Sequence, residues 1–302
     1  MQKYSIFNLV KNAFSNHENW DLAWKDPTPK KEYDVVIIGG GGHGLATAYY
    51  LAKEHNITNV AIIEKGWIGG GNVGRNTTII RSNYMHDDNA LFSEFGMDLW
   101  RRMSQDLNYN VMFSPRGIIN LAHSDAQMNV YARRGNSMRL NGIDAVLLNR
   151  EQVREIIPMA DFSENVRFPI FGGLMQPSAG TARHDAVAWG YARQADSMGV
   201  DIIQNCEVTG FDVSGGKIKG VRTSRGDIKV KKIGLCVAGS TNILAEKLNM
   251  RLPIETHLLQ ACVSEPVKPV LDRVVTFGAG HFYISQSDKG EMVMGGDLDG
   301  YN

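Results

Sequence analysis

The sequence is poor in cysteine and has no excess of either charge, and each shortage excludes a class of protein. Its 302 residues include three cysteines, which are too few and too widely spaced for a disulfide framework or a C-x-x-C motif. The 32 Lys and Arg residues match the 32 Asp and Glu residues, so no cationic surplus exists to bind nucleic acid or an anionic membrane. No run approaches the ~18 consecutive apolar residues of a membrane span. We therefore expect a cytoplasmic globular protein without nucleic-acid or membrane partners.

Internal repeats and low-complexity tracts are also missing. The length and the 43% hydrophobic content predict two domains with sizeable cores. Residues 1–32 carry Phe7, Trp20 and Trp24 among polar residues, and this pattern breaks at Pro27 and Pro29. We interpret them as an N-terminal arm that either packs on its own domain or docks on a partner chain.

The stretch DVVIIGGGGHG, residues 34–44, is the strongest motif in the chain. A short apolar run ends at Gly39, and Gly39, Gly41 and Gly44 have the G-x-G-x-x-G spacing of a dinucleotide-binding turn. The first glycine allows a tight turn, the second lets backbone approach a pyrophosphate, and the third lets the following helix pack closely. A second apolar run ends at Glu64, about 20 residues further on, where a ribose hydroxyl needs an acceptor. The motif predicts a dinucleotide site but does not distinguish NAD from FAD.

A glycine- and asparagine-rich loop follows Glu64. Arg75 and Arg81 are the only Lys or Arg residues between Lys65 and Arg101. One of them could clamp a phosphate or a substrate carboxylate, because a guanidinium offers a planar fork of donors. The alternative is that both arginines are solvated surface residues.

The remaining pattern predicts an α/β fold: a dinucleotide-binding, Rossmann-like (doubly wound) domain and a second α+β domain with a mixed sheet. Leu91, Phe95, Leu99 and Met103 recur about one helical turn apart, which predicts a core helix. A buried strand over 233–237 ends in Ala238-Gly239 and returns the chain to the first sheet. Further helices are expected at 125–141, 150–157, 185–198 and 242–248, and second-domain strands at 117–121, 168–175, 258–265, 281–286 and 291–296.

Five segments together resemble the beta-subunit family of heterotetrameric sarcosine oxidases, in the glycine-oxidase and D-amino-acid-oxidase group of flavoproteins. The segments are GGGGHGLATAYYLAK (39–53), EKGWIGGGN (64–72), RNTTIIRSNY (75–84), RHDAVAW (183–189) and SQSDKGEMVMGG (285–296). The resemblance covers nearly the whole chain, and the segments stand in the same order as in the family.

The resemblance implies a non-covalent FAD in a discontinuous domain of residues 33–112 and 180–253, and a substrate domain of residues 113–179 and 254–302. It also implies a second flavin, FMN, bound covalently to His184; by position alone, this histidine would be a helix-capping or pocket residue. The expected FAD-binding residues are Gly39, Gly41, Gly42, Gly44, Glu64, Lys65, Asn72, Arg75, Asn76, Thr77, Val208, Ala238 and Gly239. No metal site is expected.

The resemblance further implies that Arg81 holds the substrate carboxylate and that Tyr84 belongs to the same pocket. Related oxidases often have a second arginine at the position of Thr78, and Arg75 is the possible replacement. His257 matches a histidine near the flavin and could influence protonation of the amine, or could simply be a satisfied strand residue.

The implied reaction is oxidation of sarcosine to glycine and formaldehyde or methylene-tetrahydrofolate, with electrons passing from FAD through FMN to oxygen to give peroxide. The implied partners are the alpha, gamma and delta subunits of a heterotetramer. Family members continue past the position of Asn302, so we expect this chain to be truncated. Two alternatives stay open: a single-flavin dehydrogenase that passes electrons to a quinone or carrier, and a shortened, non-catalytic subunit.

Overall fold

The computed structural model divides the chain into two compact units. Unit 1 consists of Met1–Arg75, Gln105–Asn110 and His184–Thr256, and unit 2 of Asn76–Ser104, Val111–Arg183 and His257–Asn302. The structure describes residues 5–18, 20, 22–163, 165–278 and 282–298. His281, which was expected to begin a strand, lies outside the described residues.

The helices and strands alternate along much of the chain. The helices are α1 (Ile6–Phe14), α2 (Gly42–His55), α3 (Asp87–Asp106), α4 (Asp125–Leu140), α5 (Arg150–Ile156), α6 (His184–Ser197) and α7 (Thr241–Glu246). The strands are β1 (Glu32–Ile38), β2 (Val60–Ile63), β3 (Ile79–Ile80), β4 (Ile118–Ala122), β5 (Val146–Asn149), β6 (Gly172–Gln176), β7 (Gly180–Thr181), β8 (Asp201–Ile203), β9 (Val208–Ser214), β10 (Lys217–Thr223), β11 (Gly226–Leu235), β12 (Leu259–Val263), β13 (Val274–Phe277), β14 (Phe282–Gln286) and β15 (Met292–Leu298).

Unit 1 is built on a six-stranded sheet in the order β8-β2-β1-β11-β10-β9. Strands β8, β2, β1 and β11 are parallel, whereas β10 and β9 run antiparallel to their neighbours. All four residues of β2 are buried, as expected for a parallel strand that is covered on both faces. Helix α2 connects β1 to β2 and packs against α6. Because β1, β2 and β11 are parallel, the residues that follow them emerge at one edge of the sheet.

Unit 2 is built on a seven-stranded mixed sheet in the order β12-β15-β14-β13-β4-β6-β5. Strands β13 and β4 are parallel, and the other described pairs are antiparallel. Strand β4 is buried along its whole length, and Ile119 and Leu121 pack with Val153 of α5. The expectation of an α/β fold with a second, mixed sheet is confirmed.

The predicted core face of α3 is wrong at two of its four positions. Leu91 is 52% and Phe95 is 62% exposed, while the helix buries the predicted Met103 together with Ala90 and Met97. Apolar residues occur on both sides of this helix, and their periodicity alone did not identify the buried side.

Residues 76–104 were expected in the first domain but lie in unit 2. Backbone pairing explains their position: Ile79 and Ile80 of β3 pair with Gly180 and Thr181 of β7. Such a two-strand ribbon has too few residues to be recognised from a sequence pattern.

The N-terminal arm has two parts. Helix α1 begins after the N-cap Ser5 and has no buried residue. Further along, the Lys25 N–H donates to Asp196 at 3.0 Å, and Asp26 pairs with Arg225 at 3.1 Å. The end of the arm is therefore held on unit 1, while the apolar side chains of α1 are exposed.

Candidate cofactor and substrate sites

Two glycines of the G-x-G-x-x-G motif are required by the packing of the chain itself. Gly39 has a φ of +109°, and a Cβ there would lie 2.3 Å from the Cys236 carbonyl oxygen. A Cβ on Gly44 would lie 2.0 Å from the Gly39 carbonyl oxygen. Both neighbouring atoms are backbone atoms, so no side-chain movement could relieve the overlap. These glycines let β1, α2 and the end of β11 approach one another.

Gly41 and Gly42 have no such internal requirement. The nearest atom to a Cβ on either residue is Cγ2 of Val73, at 3.6 Å and 3.5 Å, which is ordinary contact. Gly41 has φ −83° and ψ −177°, a conformation open to any residue. Space beside these two positions is therefore left for an atom that does not belong to the chain.

The turn of residues 39–44, called the glycine corner below, can receive an anion. Gly41 is the N-cap of α2 and supplies no side-chain cap, and the first N–H groups of a helix have no partner within it. Helix N–H groups together with the helix dipole favour a phosphate. The open space and these donors fit the pyrophosphate of FAD.

Glu64, directly after β2, closes the corner from the neighbouring strand. Its Oε2 accepts from the Gly40 N–H at 2.7 Å, and its Oε1 accepts from the Gly66 N–H at 2.8 Å. Each carboxylate oxygen keeps a further lone pair that can accept from a ribose hydroxyl. Gly40 is itself constrained, because its Cβ would lie 2.9 Å from the Glu64 Cβ. The G-x-G-x-x-G motif accepts any residue at position 40, so the motif did not predict this constraint.

The loop after Glu64 folds back over the glycine corner. The Gly69 N–H donates to the Gly40 carbonyl at 3.0 Å, and Asn72–Arg75 forms a short 3₁₀-helix that carries Val73. Lys65 and Asn72 are exposed. The exposed Arg75 donates to the Gly70 carbonyl at 2.9 Å. The structure thus gives Arg75 a role in holding its own loop.

The other expected cofactor residues fall in both units. Val208 is buried at the start of β9, and Ala238 follows the end of β11 in a left-handed conformation with φ +47°. A Cβ on Gly239 would lie 2.8 Å from Cγ2 of Thr256. Asn76 and Thr77 belong to unit 2.

His184 is the first residue of α6 in unit 1, and it is partly exposed. The rest of α6 is rich in buried small residues and packs on α2. An imidazole at the accessible start of a firmly packed helix can be reached by a reagent without unfolding the helix.

Arg81 and Tyr84 lie together in unit 2. The Arg81 guanidinium carbon is 4.5 Å from the centroid of the Tyr84 ring, and Nη1 donates to Oδ1 of Asn83 at 2.6 Å. The two residues between them, Ser82 and Asn83, are both fully buried. The Ser82 N–H donates to Oε1 of Gln176 at 3.0 Å. Buried hydrogen bonds therefore anchor the segment that presents Arg81.

A second arginine, Arg134 on α4, was missed by the sequence analysis. It donates to the Asn83 carbonyl, and burial, together with the nearby charge of Arg81, lowers its pKa. The polar composition of α4 predicts a surface helix, and no spacing marks one of its arginines as half-buried. Arg134 gives the Arg81 segment a second positive charge.

The two remaining residues of interest differ in environment. His257 is exposed and lies just before β12. Thr78 has φ +63°, which is an outlier for a β-branched residue. Its N–H donates to Oδ1 of Asn76 at 2.7 Å, and this bond holds the strained turn that leads into β3.

The part of the chain that the structure describes contains neither a metal-binding cluster nor a membrane-spanning helix. No cluster of three or more His, Cys, Asp or Glu side chains there could hold a metal ion. No helix in the same residues is long and apolar enough to cross a bilayer.

Comparison with known proteins agrees with this geometry. Residues 34–302 match the family model of FAD dependent oxidoreductases. The chain is 61% identical to the sarcosine oxidase subunit beta of Rhizobium meliloti (strain 1021), over 99% of this chain and 72% of that protein. It is 52% identical to the subunit of the same name from Rhodobacter capsulatus, over 100% of this chain and 73% of that protein.

Among solved structures, the crystal structure of L-proline dehydrogenase from P. horikoshii superposes with a TM-score of 0.82 at 27% identity, over 90% of this chain and 71% of that one. The glycine corner, the two-sheet architecture and these matches agree, and the chain belongs to the FAD-dependent oxidoreductase family, within the group of sarcosine oxidase beta subunits.

Proposed function

We propose that this chain oxidises sarcosine, or a similar N-methyl amino acid, as the beta subunit of a multisubunit oxidase. The observation that carries the proposal is the Glu64-closed glycine corner in a chain 61% identical to one sarcosine oxidase beta subunit. The overall conversion takes sarcosine, oxygen and water to glycine, formaldehyde and hydrogen peroxide. A hydride leaves the N-methyl carbon and a proton leaves the amine nitrogen, so the substrate becomes an imine, and the two electrons and two protons end in hydrogen peroxide. Water then hydrolyses the imine to glycine and formaldehyde. Where tetrahydrofolate is bound elsewhere in the complex, methylene-tetrahydrofolate replaces formaldehyde.

The pyrophosphate of FAD would be held by the N-terminus of α2 beside Gly41 and Gly42, and the ribose by Glu64. When bound, FAD supplies the redox chemistry by accepting a hydride from the substrate carbon. The contribution of the protein is to bind and orient both partners.

Arg81 is the proposed anchor for the substrate carboxylate. Its guanidinium lies against the Tyr84 ring, which limits its motion, and a planar fork can bind a carboxylate through two hydrogen bonds. The substrate amine must be neutral at reaction, because a protonated nitrogen has no lone pair to expel the hydride. We propose His257 as a group that influences this protonation, so His257→Gln should shift the pH profile of kcat/KM.

The proposal is tested by anaerobic titration of the FAD-loaded protein. Sarcosine should bleach the oxidised flavin absorbance, whereas glycine, which lacks the N-methyl group, should not. Arg81→Ala should raise both KM and the dissociation constant of a carboxylate inhibitor by about tenfold or more, since a charge-assisted bidentate pair is lost. Flavin that stays oxidised with excess sarcosine would contradict the proposal.

We further propose that His184 carries a covalently bound FMN. Its partial exposure at the start of α6 and the segment RHDAVAW support this assignment. Acid-precipitated protein should retain flavin fluorescence, and His184→Ala should lose it, while His55→Ala, at an exposed position of α2, should keep it. Unchanged flavin on the His184→Ala protein would exclude this residue.

The single-flavin dehydrogenase remains the second candidate, supported by the TM-score of 0.82 to L-proline dehydrogenase. It predicts that sarcosine reduces the flavin but that the protein holds no covalent flavin and produces no peroxide. The same anaerobic and aerobic measurements therefore separate it from the oxidase.

We propose that α1 contributes to binding the partner subunits, expected as alpha, gamma and delta. Phe7 is 82% and Phe14 is 88% exposed on this helix, and exposed aromatic side chains that cluster are common interface anchors. The double variant Phe7→Ser, Phe14→Ser should reduce co-purification of co-expressed subunits without changing the melting temperature of the isolated chain.

A further inference from the structure

A hydrogen-bond network through two buried amide side chains leads from the middle of the unit 2 sheet to Arg81. Asn83 Oδ1 accepts from Arg81 at 2.6 Å, and Asn83 Nδ2 donates to Oδ1 of Asn120 at 2.8 Å. Asn120 Nδ2 donates to Oγ1 of Thr276, and this hydroxyl donates to the Ile119 carbonyl at 3.4 Å. Strand pairing places Asn120 of β4 directly beside Thr276 of β13.

The direction of every hydrogen bond in this network follows from its two ends, the Arg81 guanidinium and the Ile119 carbonyl. A guanidinium can only donate, so Asn83 must present its oxygen to Arg81 and its NH₂ to Asn120. Asn120 must then present its oxygen to Asn83 and its NH₂ to Thr276. The hydroxyl can accept because its own proton is directed to a backbone carbonyl. No link can be reversed without leaving a buried donor facing another donor.

These amides lie in surroundings that otherwise favour apolar side chains. Asn83 is fully buried and Asn120 is 7% exposed, and the neighbours of Asn120 along β4 include the buried Ile119 and Leu121. Burying an amide costs free energy that only complete hydrogen bonding offsets. An apolar pair would stabilise this part of the interior at least as well, so the amides call for another explanation.

The chemistry of the link supplies that explanation. A neutral amide fixes the direction of a guanidinium without cancelling its charge, whereas a carboxylate would form an ion pair and occupy the fork. Among the described residues, no carboxylate forms an ion pair with Arg81. Arg134, which donates to the Asn83 carbonyl, adds positive charge at the same residue. The Arg81 fork is thus oriented and still charged.

We propose that Asn83 is a positioning residue that aims Arg81 at the carboxylate of the substrate, with Asn120 and Thr276 fixing the orientation of its amide. The inference rests on the proposed role of Arg81 as carboxylate anchor. Asn83 touches Arg81 rather than the substrate, so its effect should appear in binding of carboxylate ligands and in KM more than in kcat.

The test compares methoxyacetate, which has the shape and carboxylate of sarcosine, with neutral methoxyacetamide. Both are titrated into FAD-loaded protein. Asn83→Asp preserves side-chain size but supplies a competing carboxylate, and it should weaken methoxyacetate binding by about tenfold or more while leaving methoxyacetamide binding unchanged. Asn83→Ala should weaken methoxyacetate binding by about fivefold, because the fork loses its direction but keeps its charge.

The chain offers a matched control in an exposed pair of the same type. Asn136 Oδ1 accepts from Nη2 of Arg139 at 2.5 Å on the surface of α4. Asn136→Asp makes the same change of charge beside an arginine and should leave methoxyacetate binding unchanged. Should Asn83→Ala fail to fold, Thr276→Val removes the hydroxyl that accepts from Asn120, at the far end of the hydrogen-bond network. It should weaken methoxyacetate binding by about threefold.

The outcomes separate this inference from the proposed function. If Arg81→Ala leaves methoxyacetate binding unchanged, the carboxylate anchor is wrong, and the positioning role fails with it. If Arg81→Ala weakens binding but both Asn83 variants bind methoxyacetate like the parent protein, the anchor stands and the positioning role is refuted. Equal losses for methoxyacetate and methoxyacetamide would also refute it, since they would indicate general damage to the pocket.

Discussion

The glycine corner allows the needs of folding to be separated from those of cofactor binding by two substitutions three residues apart. In Gly44→Ala, the new Cβ would lie 2.0 Å from the Gly39 carbonyl oxygen, so backbone must move by roughly 1 Å or more to restore ordinary contact. In Gly41→Ala, the nearest atom is a side-chain methyl at 3.6 Å. The first change should damage the fold, and the second should damage only what binds there.

The expected magnitudes follow from these distances. Overpacking costs about 1–3 kcal/mol when side chains can adjust, so Gly44→Ala, where backbone opposes backbone, should cost about 3 kcal/mol or more. A loss of that size lowers the melting temperature of a domain of this size by about 6–12 °C. Gly41→Ala should change stability by less than about 1 kcal/mol, because its dihedral angles suit alanine and only a weak N-cap preference is lost.

The assay combines thermal unfolding of the apoprotein with FAD titration followed by quenching of flavin fluorescence. Gly41→Ala should retain its melting temperature but bind FAD about tenfold more weakly or worse, which corresponds to about 1.4 kcal/mol. Gly96→Ala is the control, since a Cβ at this position of α3 meets nothing within 4 Å, and its FAD affinity should not fall. If Gly41→Ala binds FAD like the parent protein, the space beside Gly41 does not receive the pyrophosphate.

Three further predictions concern buried polar groups. Gln286 is 3% exposed and its Oε1 accepts from the N–H groups of Val270 and Leu271 at 2.8 and 3.1 Å; Gln286→Leu should lower the free energy of unfolding in urea by about 2–4 kcal/mol, because both donors lose their acceptor. Burial lowers the pKa of His123, so below a pH of about 6.5 the unfolded chain binds a proton that the folded chain does not. The free energy of unfolding therefore decreases as the pH is lowered. His123→Phe should therefore flatten the decrease of the urea midpoint between about pH 7.5 and 5.5, and an unchanged slope would contradict this. Tyr33 donates to Asp201 at 2.8 Å, and Tyr33→Phe should cost about 1–2 kcal/mol in the same urea experiment; a neutral result would mean that water replaces the bond.

Much of unit 1 could be predicted from the sequence because its signals are local. The apolar run before Gly39, the glycine spacing and the position of Glu64 all lie within about one β-α-β unit, and each reflects a constraint between near neighbours in the chain. Gly215 and Gly216, which join β9 to β10 in a tight hairpin, are a local signal of the same kind, since both have positive φ.

The polar interior of unit 2 could not be predicted in the same way. Asn83 and Asn120 are 37 residues apart in the chain, and although apolar residues flank Asn120 in β4, no sequence spacing links it to Asn83. Arg134 stands in a polar helix whose composition favours exposure, although tertiary contacts place it beside Asn83. Such residues are positioned by contacts between distant parts of the chain, which hydrophobic periodicity does not encode. The same limit explains the misjudged face of α3.

The position of Glu64 has a kinetic consequence. Since its carboxylate is held by the Gly40 and Gly66 N–H groups at 2.7 and 2.8 Å within the chain itself, the ribose acceptor and the glycine turn already have one defined arrangement. A nucleotide arriving there does not have to organise the backbone first, so the entropy of ordering this corner belongs to folding rather than to association. Uptake of the nucleotide half of FAD should therefore proceed as a single, concentration-dependent phase, and any slow step should arise elsewhere in the chain.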